Sequence, residues 1–88
     1  MKWNFPVILT TRTADEQFKK VEEECNEYLT EVESGDISLQ DKEAIDVLHS
    51  VETFLRLRFK GREQELDNLI QFTIEKNSKR GYYESSCY

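Results

Sequence analysis

The sequence predicts an all-α protein: an antiparallel helical hairpin and a third helix, completed as a helical bundle by oligomerisation. Three observations lead there. Apolar residues recur at steps of three and four along three long segments, the spacing that places them on one face of a helix. Gly35 and Gly61 fall between those segments and Gly81 follows the last, where helices stop. The chain has 88 residues, enough for one domain with a limited core, because a chain this short buries only about 60–65% of its unfolded surface. Domains of that size commonly add a metal or a partner subunit.

Residues 1–13 make an extended or irregular lead. Pro6 disfavours a helix through the residue before it. Val7, Ile8 and Leu9 either form a short extended piece or pack across the helices, and Trp3 and Phe5 are large apolar groups that need cover.

The first helix is expected over 14–34. Thr13 is its N-cap, and Glu16 three residues later completes a capping-box spacing. Phe18, Val21, Cys25, Tyr28, Leu29 and Val32 form its apolar stripe. Gly35 suits the left-handed position that ends a helix. The second helix is expected over 38–60, capped by Ser38 or Asp36. Ala44, Leu48, Val51 and Leu55 form one stripe, which Ile45, Val47, Phe54 and Leu57 widen, so this helix should have more than one neighbour. Arg56, Arg58 and Lys60 suit the negative pole of its dipole. The third helix is expected over 62–80, with Leu66, Leu69, Ile70, Phe72, Thr73 and Ile74 on its apolar side and Lys76, Lys79 and Arg80 in its last turn. Residues 84–88 read as a flexible tail.

Charged residues make up 34% of the chain and hydrophobic ones 38%. That mixture is too charged for a membrane protein and too apolar for a disordered one. The start lacks the cationic and apolar regions of a signal peptide, so a cytoplasmic location is expected. The net charge of −6 argues against nucleic-acid binding, which uses a basic face. Cys25 and Cys87 make no disulfide framework and are expected as reduced thiols.

The acidic residues carry the chemical argument. Most acidic runs on helices are solvated faces. Here, at about 100° per residue, Glu24, Glu27 and Glu31 lie along one flank of the apolar stripe, near the seam with a neighbouring helix. Helix two offers Glu43 and Asp46, again three apart. If the two helices pack antiparallel across the Ser34–Ile37 turn, Glu27 and Glu43 lie at a similar height, and Glu24 and Asp46 are level about one turn further on. Four carboxylates so placed repel unless a cation stands between them. All-oxygen ligation favours Mg²⁺, Mn²⁺ or Ca²⁺, and Mg²⁺ is commonly shared between a few carboxylates and substrate phosphates.

These residues also form a pattern. Glu23-Glu24-Cys25-Asn26-Glu27 reads E-E-x-x-E, Glu43-Ala44-Ile45-Asp46 reads E-x-x-D, and Lys76-Asn77-Ser78-Lys79-Arg80-Gly81-Tyr82-Tyr83 reads K-N-x-x-R-G-Y-Y. Together they resemble the signature of the MazG-like nucleoside triphosphate pyrophosphohydrolases, an all-helical superfamily, over residues 14–83. The resemblance implies Mg²⁺-dependent cleavage of a nucleoside triphosphate between the α and β phosphates, giving a monophosphate and pyrophosphate, with Mn²⁺ a possible substitute. It implies Glu24, Glu27, Glu43 and Asp46 as metal ligands and Glu23 as the residue that orients or deprotonates water. Lys76, Asn77 and Arg80 match positions that contact substrate phosphates or sugar. It further implies a homodimer or homotetramer with the nucleotide held between subunits.

Blander readings stand beside these. His49 reads as a helix histidine with no metal role, since an all-oxygen site does not need it. Trp3, Phe5 and Tyr82 are candidates for stacking on a base, with packing as the simpler role. Cys25 sits on the apolar stripe and reads as core. For the whole chain, the alternative to an enzyme is a non-catalytic oligomeric interaction or nucleotide-binding module whose acidic flank is only solvated.

Overall fold

In the computed structural model, which describes residues 1–84, the chain forms three helices: α1 (Ala14–Ser34), α2 (Ile37–Arg58) and α3 (Glu63–Lys79). No strand occurs among the described residues. Of the tail expected over 84–88, residues 85–88, Cys87 among them, lie outside the described residues. None of the helices is long and apolar enough to cross a membrane.

Local chemistry explains each boundary. The Thr13 hydroxyl accepts from Glu16 N, and the Glu16 carboxylate accepts from Thr13 N, both at 3.1 Å, closing the capping box. Gly35 ends α1 at φ 78°, a left-handed conformation that side chains resist. Asp36 Oδ1 then accepts from Leu39 N at 3.1 Å, so Asp36 rather than Ser38 caps α2, one residue earlier than expected. Helix α3 has no side-chain cap at Arg62, but Glu63 and Glu65 lie in its first turn, where the dipole favours negative charge.

Helices α1 and α2 pack against each other along the hairpin, whereas α3 is in only marginal contact with either. The radius of gyration is 15.4 Å, against about 12 Å for a compact chain of this length. The extents of 37 × 35 × 19 Å describe a flat, open shape. Helix α2 therefore has α1 and the lead as its neighbours, and much of its apolar width stays uncovered: Ile45 and Leu48 are exposed. The same holds for Phe18, Leu29 and Val32 on the α1 stripe, while Cys25 is half-buried.

The interior is polar where an apolar core was expected. Leu66 is the only fully buried apolar residue among the described ones, whereas Gln17, Ser50, Glu52 and Thr53 are all buried. Their burial is made possible by the lead, which has no regular structure but crosses α2. Backbone N–H groups of Asn4 and Phe5 and the Asn4 amide donate to the Glu52 carboxylate at 2.8–3.1 Å. Arg56 donates to the Phe5 carbonyl at 2.7 Å and lies 4.6 Å above the Trp3 ring. Phe5 stacks on His49 with ring centroids 4.4 Å apart. Gln17 spans the seam from α1, accepting from Arg12 at 3.0 Å and donating to the Ser50 carbonyl at 3.1 Å. A polar group buried with its partners in place costs little, and these partners are in place.

Candidate functional site

The hairpin brings carboxylates together from both of its arms. One oxygen each from Glu24 and Glu27 on α1 and from Glu43 on α2 all lie within 4.8 Å of one another. That convergence follows from the spacing: Glu24 and Glu27 are three apart and share a face, and the short turn at Gly35 sets Glu43 level with them. The Glu24 side chain is only 12% exposed. Glu43 Oε2 is shielded from solvent and has no hydrogen-bond partner.

Asp46 is exposed and stands outside this group of three, one turn further along α2. Glu23 is also exposed and outside the group, paired with Lys20 at 3.7 Å. Lys76 and Arg80 are exposed and Asn77 half-buried on the last turns of α3. Because α3 does not pack along the hairpin, a single chain does not bring them to the carboxylates.

The electrostatics of the cluster are those of crowded like charges. Glu24's negative charge raises the Glu27 pKa most, followed by partial burial, a hydrogen bond between the two carboxyls and the charge of Glu43; Lys20 offsets part of this. Lys20 itself lies 3.2 Å from Glu24 Oε1. Its pKa is raised, chiefly by that hydrogen bond; burial opposes it next in size, and the charges of Glu23, Glu24 and Glu27 add to the rise. One half-exposed ammonium thus acts on Glu23, Glu24 and Glu27, leaving net negative charge at the seam.

Two residues outside the motifs hold their surroundings in place: Lys20 at the cluster and Glu52 beneath the lead. Lys20 stands four residues before Glu24, a spacing at which oppositely charged helix residues meet, so its pairing was readable. Glu52 carried a weaker signal: it is a lone acid between Val51 and Thr53 in the most apolar stretch of α2. Of the aromatic candidates for base stacking, Trp3 is covered by Arg56 and Phe5 by His49, which assigns both to the lead's attachment. Tyr82 is exposed. His49 Nε2 is buried without a hydrogen-bond partner beneath that attachment.

No protein-family model, curated protein sequence or solved structure matches the chain.

Proposed function

We propose that the protein is a Mg²⁺-dependent nucleotide pyrophosphohydrolase of the MazG-like kind, cleaving a nucleoside triphosphate to its monophosphate and pyrophosphate. The observation that carries this reading is the convergence of Glu24, Glu27 and Glu43 from two helices to within 4.8 Å. The donor set fits a hard cation: it is all oxygen, and Glu43 Oε2 is a buried acceptor with no donor. Asp46, three residues on from Glu43 and exposed, is the fourth ligand in this reading.

In this reading Glu24, Glu27 and Glu43 hold Mg²⁺, or Mn²⁺ in its place. The cation, when bound, supplies positive charge to the substrate's phosphate oxygens. Glu23, exposed beside the cluster, orients or deprotonates the attacking water. Lys76, Asn77 and Arg80 bind phosphate or sugar. Within one chain those residues are apart from the carboxylates, so a homo-oligomer in which α3 of one copy meets the hairpin of another completes the site. The exposed apolar residues of all three helices, Leu29, Ile45 and Leu69 among them, supply surface for that assembly.

A second reading, a non-catalytic nucleotide-binding or interaction module, is favoured by Lys20, which already partly neutralises Glu24 and Glu23. Incubation with Mg²⁺ and a panel of canonical and modified nucleoside triphosphates separates the two. The enzyme releases pyrophosphate from at least one; a module shows a thermal shift without release.

A further inference from the structure

The last three turns of α3 present an aromatic ring among cations. Phe72, Glu75, Lys76, Lys79 and Arg80 line one hollow of about 340 Å³, at the small end of the range that ligand pockets occupy. Phe72 is 63% exposed, which the apolar stripe of α3 does not explain. At about 100° per residue, Phe72 stands roughly 120° around the helix from Leu66, the buried residue of that stripe. Leu66, Leu69, Ile70, Thr73 and Ile74 line a separate hollow facing Leu55 and Phe59 of the α2 end. Lys76 and Lys79, by the same count, flank Phe72 within about 40° on either side, and Arg80 lies within about 80°. The sequence pattern groups Phe72 with the apolar side; the structure separates it.

A ring held in water by surrounding charges has a specific use. A protein helix docking on Phe72 would have to strip water from three cations, which costs free energy unless each is paired. A planar, anionic ligand pairs those cations: its flat part stacks on the ring, and its charged part meets the ammonium and guanidinium groups, which outnumber the Glu75 carboxylate of the same hollow three to one. We propose that Phe72 is the platform on which the base of a nucleotide stacks, with Lys79 joining Lys76 and Arg80 at its phosphates. This inference rests on the nucleotide reading above for its substrate class, but it needs no metal. The chain's net charge of −6 favours a mononucleotide over a long polyanion, whose remaining phosphates the rest of the surface repels.

The test is binding without divalent cation. With EDTA present at low salt, calorimetric titrations of ATP, UTP, inorganic tripolyphosphate and a short single-stranded oligonucleotide are compared for wild type, Phe72→Leu and Lys79→Gln. Circular dichroism confirms that helix content is kept, as the exposure of both side chains leads us to expect. Stacking on an aromatic ring contributes roughly five- to a hundredfold in affinity. Phe72→Leu should therefore weaken ATP or UTP at least fivefold and leave tripolyphosphate unchanged, and Lys79→Gln should weaken all three. Equal affinity of wild type for nucleotides and tripolyphosphate, an unchanged nucleotide affinity in Phe72→Leu, no binding at all, or oligonucleotide binding far tighter than nucleotide binding would each overturn the inference. Its failure is separable from that of the enzymatic reading. Turnover with an unaltered KM in Phe72→Leu would discard the platform and keep the enzyme. Phe72-dependent binding without any hydrolysis would do the reverse.

Discussion

Asn4 and Glu52, 48 positions apart in the chain, are joined by three hydrogen bonds, from Asn4 N to both carboxylate oxygens and from Asn4 Nδ2 to Oε2. Phe5 N adds a fourth to the same carboxylate. A stretch without helix or strand is thereby fixed to the middle of α2. Replacing Glu52 by Ala takes the acceptor from three part-buried donors and leaves a void where the buried side chain stood, and both are costly. The expected result is a fall in melting temperature of roughly 5–10 °C and earlier proteolytic cleavage within residues 1–13, read by limited digestion and mass spectrometry. An unchanged digestion pattern would show that the lead does not depend on this carboxylate.

The α1 capping box offers a simpler test. Thr13→Ala removes the acceptor for Glu16 N and is expected to destabilise the fold by about 1 kcal/mol, measurable by urea unfolding. Glu16 should keep a depressed pKa, because the backbone N–H of Thr13, its leading cause, survives the substitution; only the smaller part that comes from the hydroxyl is lost.

Acid titration should separate two glutamates of opposite sign. Burial pushes the Glu52 pKa up, but N–H donors from Asn4 and Phe5 and the Arg56 charge outweigh it, leaving it below the ordinary 4.5. Its stabilisation is complete above about pH 4.5 and disappears as the pH falls through the lower folded-state value. Glu27 has a raised pKa, so its ionised form weakens the fold at neutral pH, and protonation relieves this as the pH falls through the raised value toward 4.5. Glu27→Gln should therefore melt higher than wild type at pH 7, the gap closing as the pH drops toward 4.5. The gap between wild type and Glu52→Gln should hold constant down to about pH 5 and shrink below it. Melting curves between pH 3 and 7 for the three proteins check both statements.

The helices were legible because their ends are written in neighbouring residues. Thr13 with Glu16, Gly35 and Asp36 act within a few positions, and α1 begins and ends where they place it. The level pairing of Glu27 with Glu43 was legible for the same reason, since a short turn leaves the hairpin little choice of register. The core was not. Glu52 and Gln17 look like surface residues until a lead nearly fifty residues from Glu52 supplies donors, and no local pattern encodes that contact. Phe72 was misplaced because α3 is apolar over a wide arc, and only the direction of the Leu66 face divides it. Asp46, read as level with Glu24, is exposed and stands outside the converging three.

The central claim is that Glu24, Glu27 and Glu43 form a cation site serving phosphate hydrolysis. Its most direct measurement is pyrophosphate release from nucleoside triphosphates with Mg²⁺, by wild type and by Glu24→Gln, alongside melting temperatures with and without Mg²⁺. The account predicts Mg²⁺-dependent release by wild type and a loss of more than about 100-fold in Glu24→Gln, since even groups that only orient a metal ligand cost 10–100-fold when removed. It also predicts that the metal-free variant melts no lower than wild type, because repulsion has been relieved. Glu24→Gln activity within a few-fold of wild type, or unfolding of that variant without metal, would contradict it.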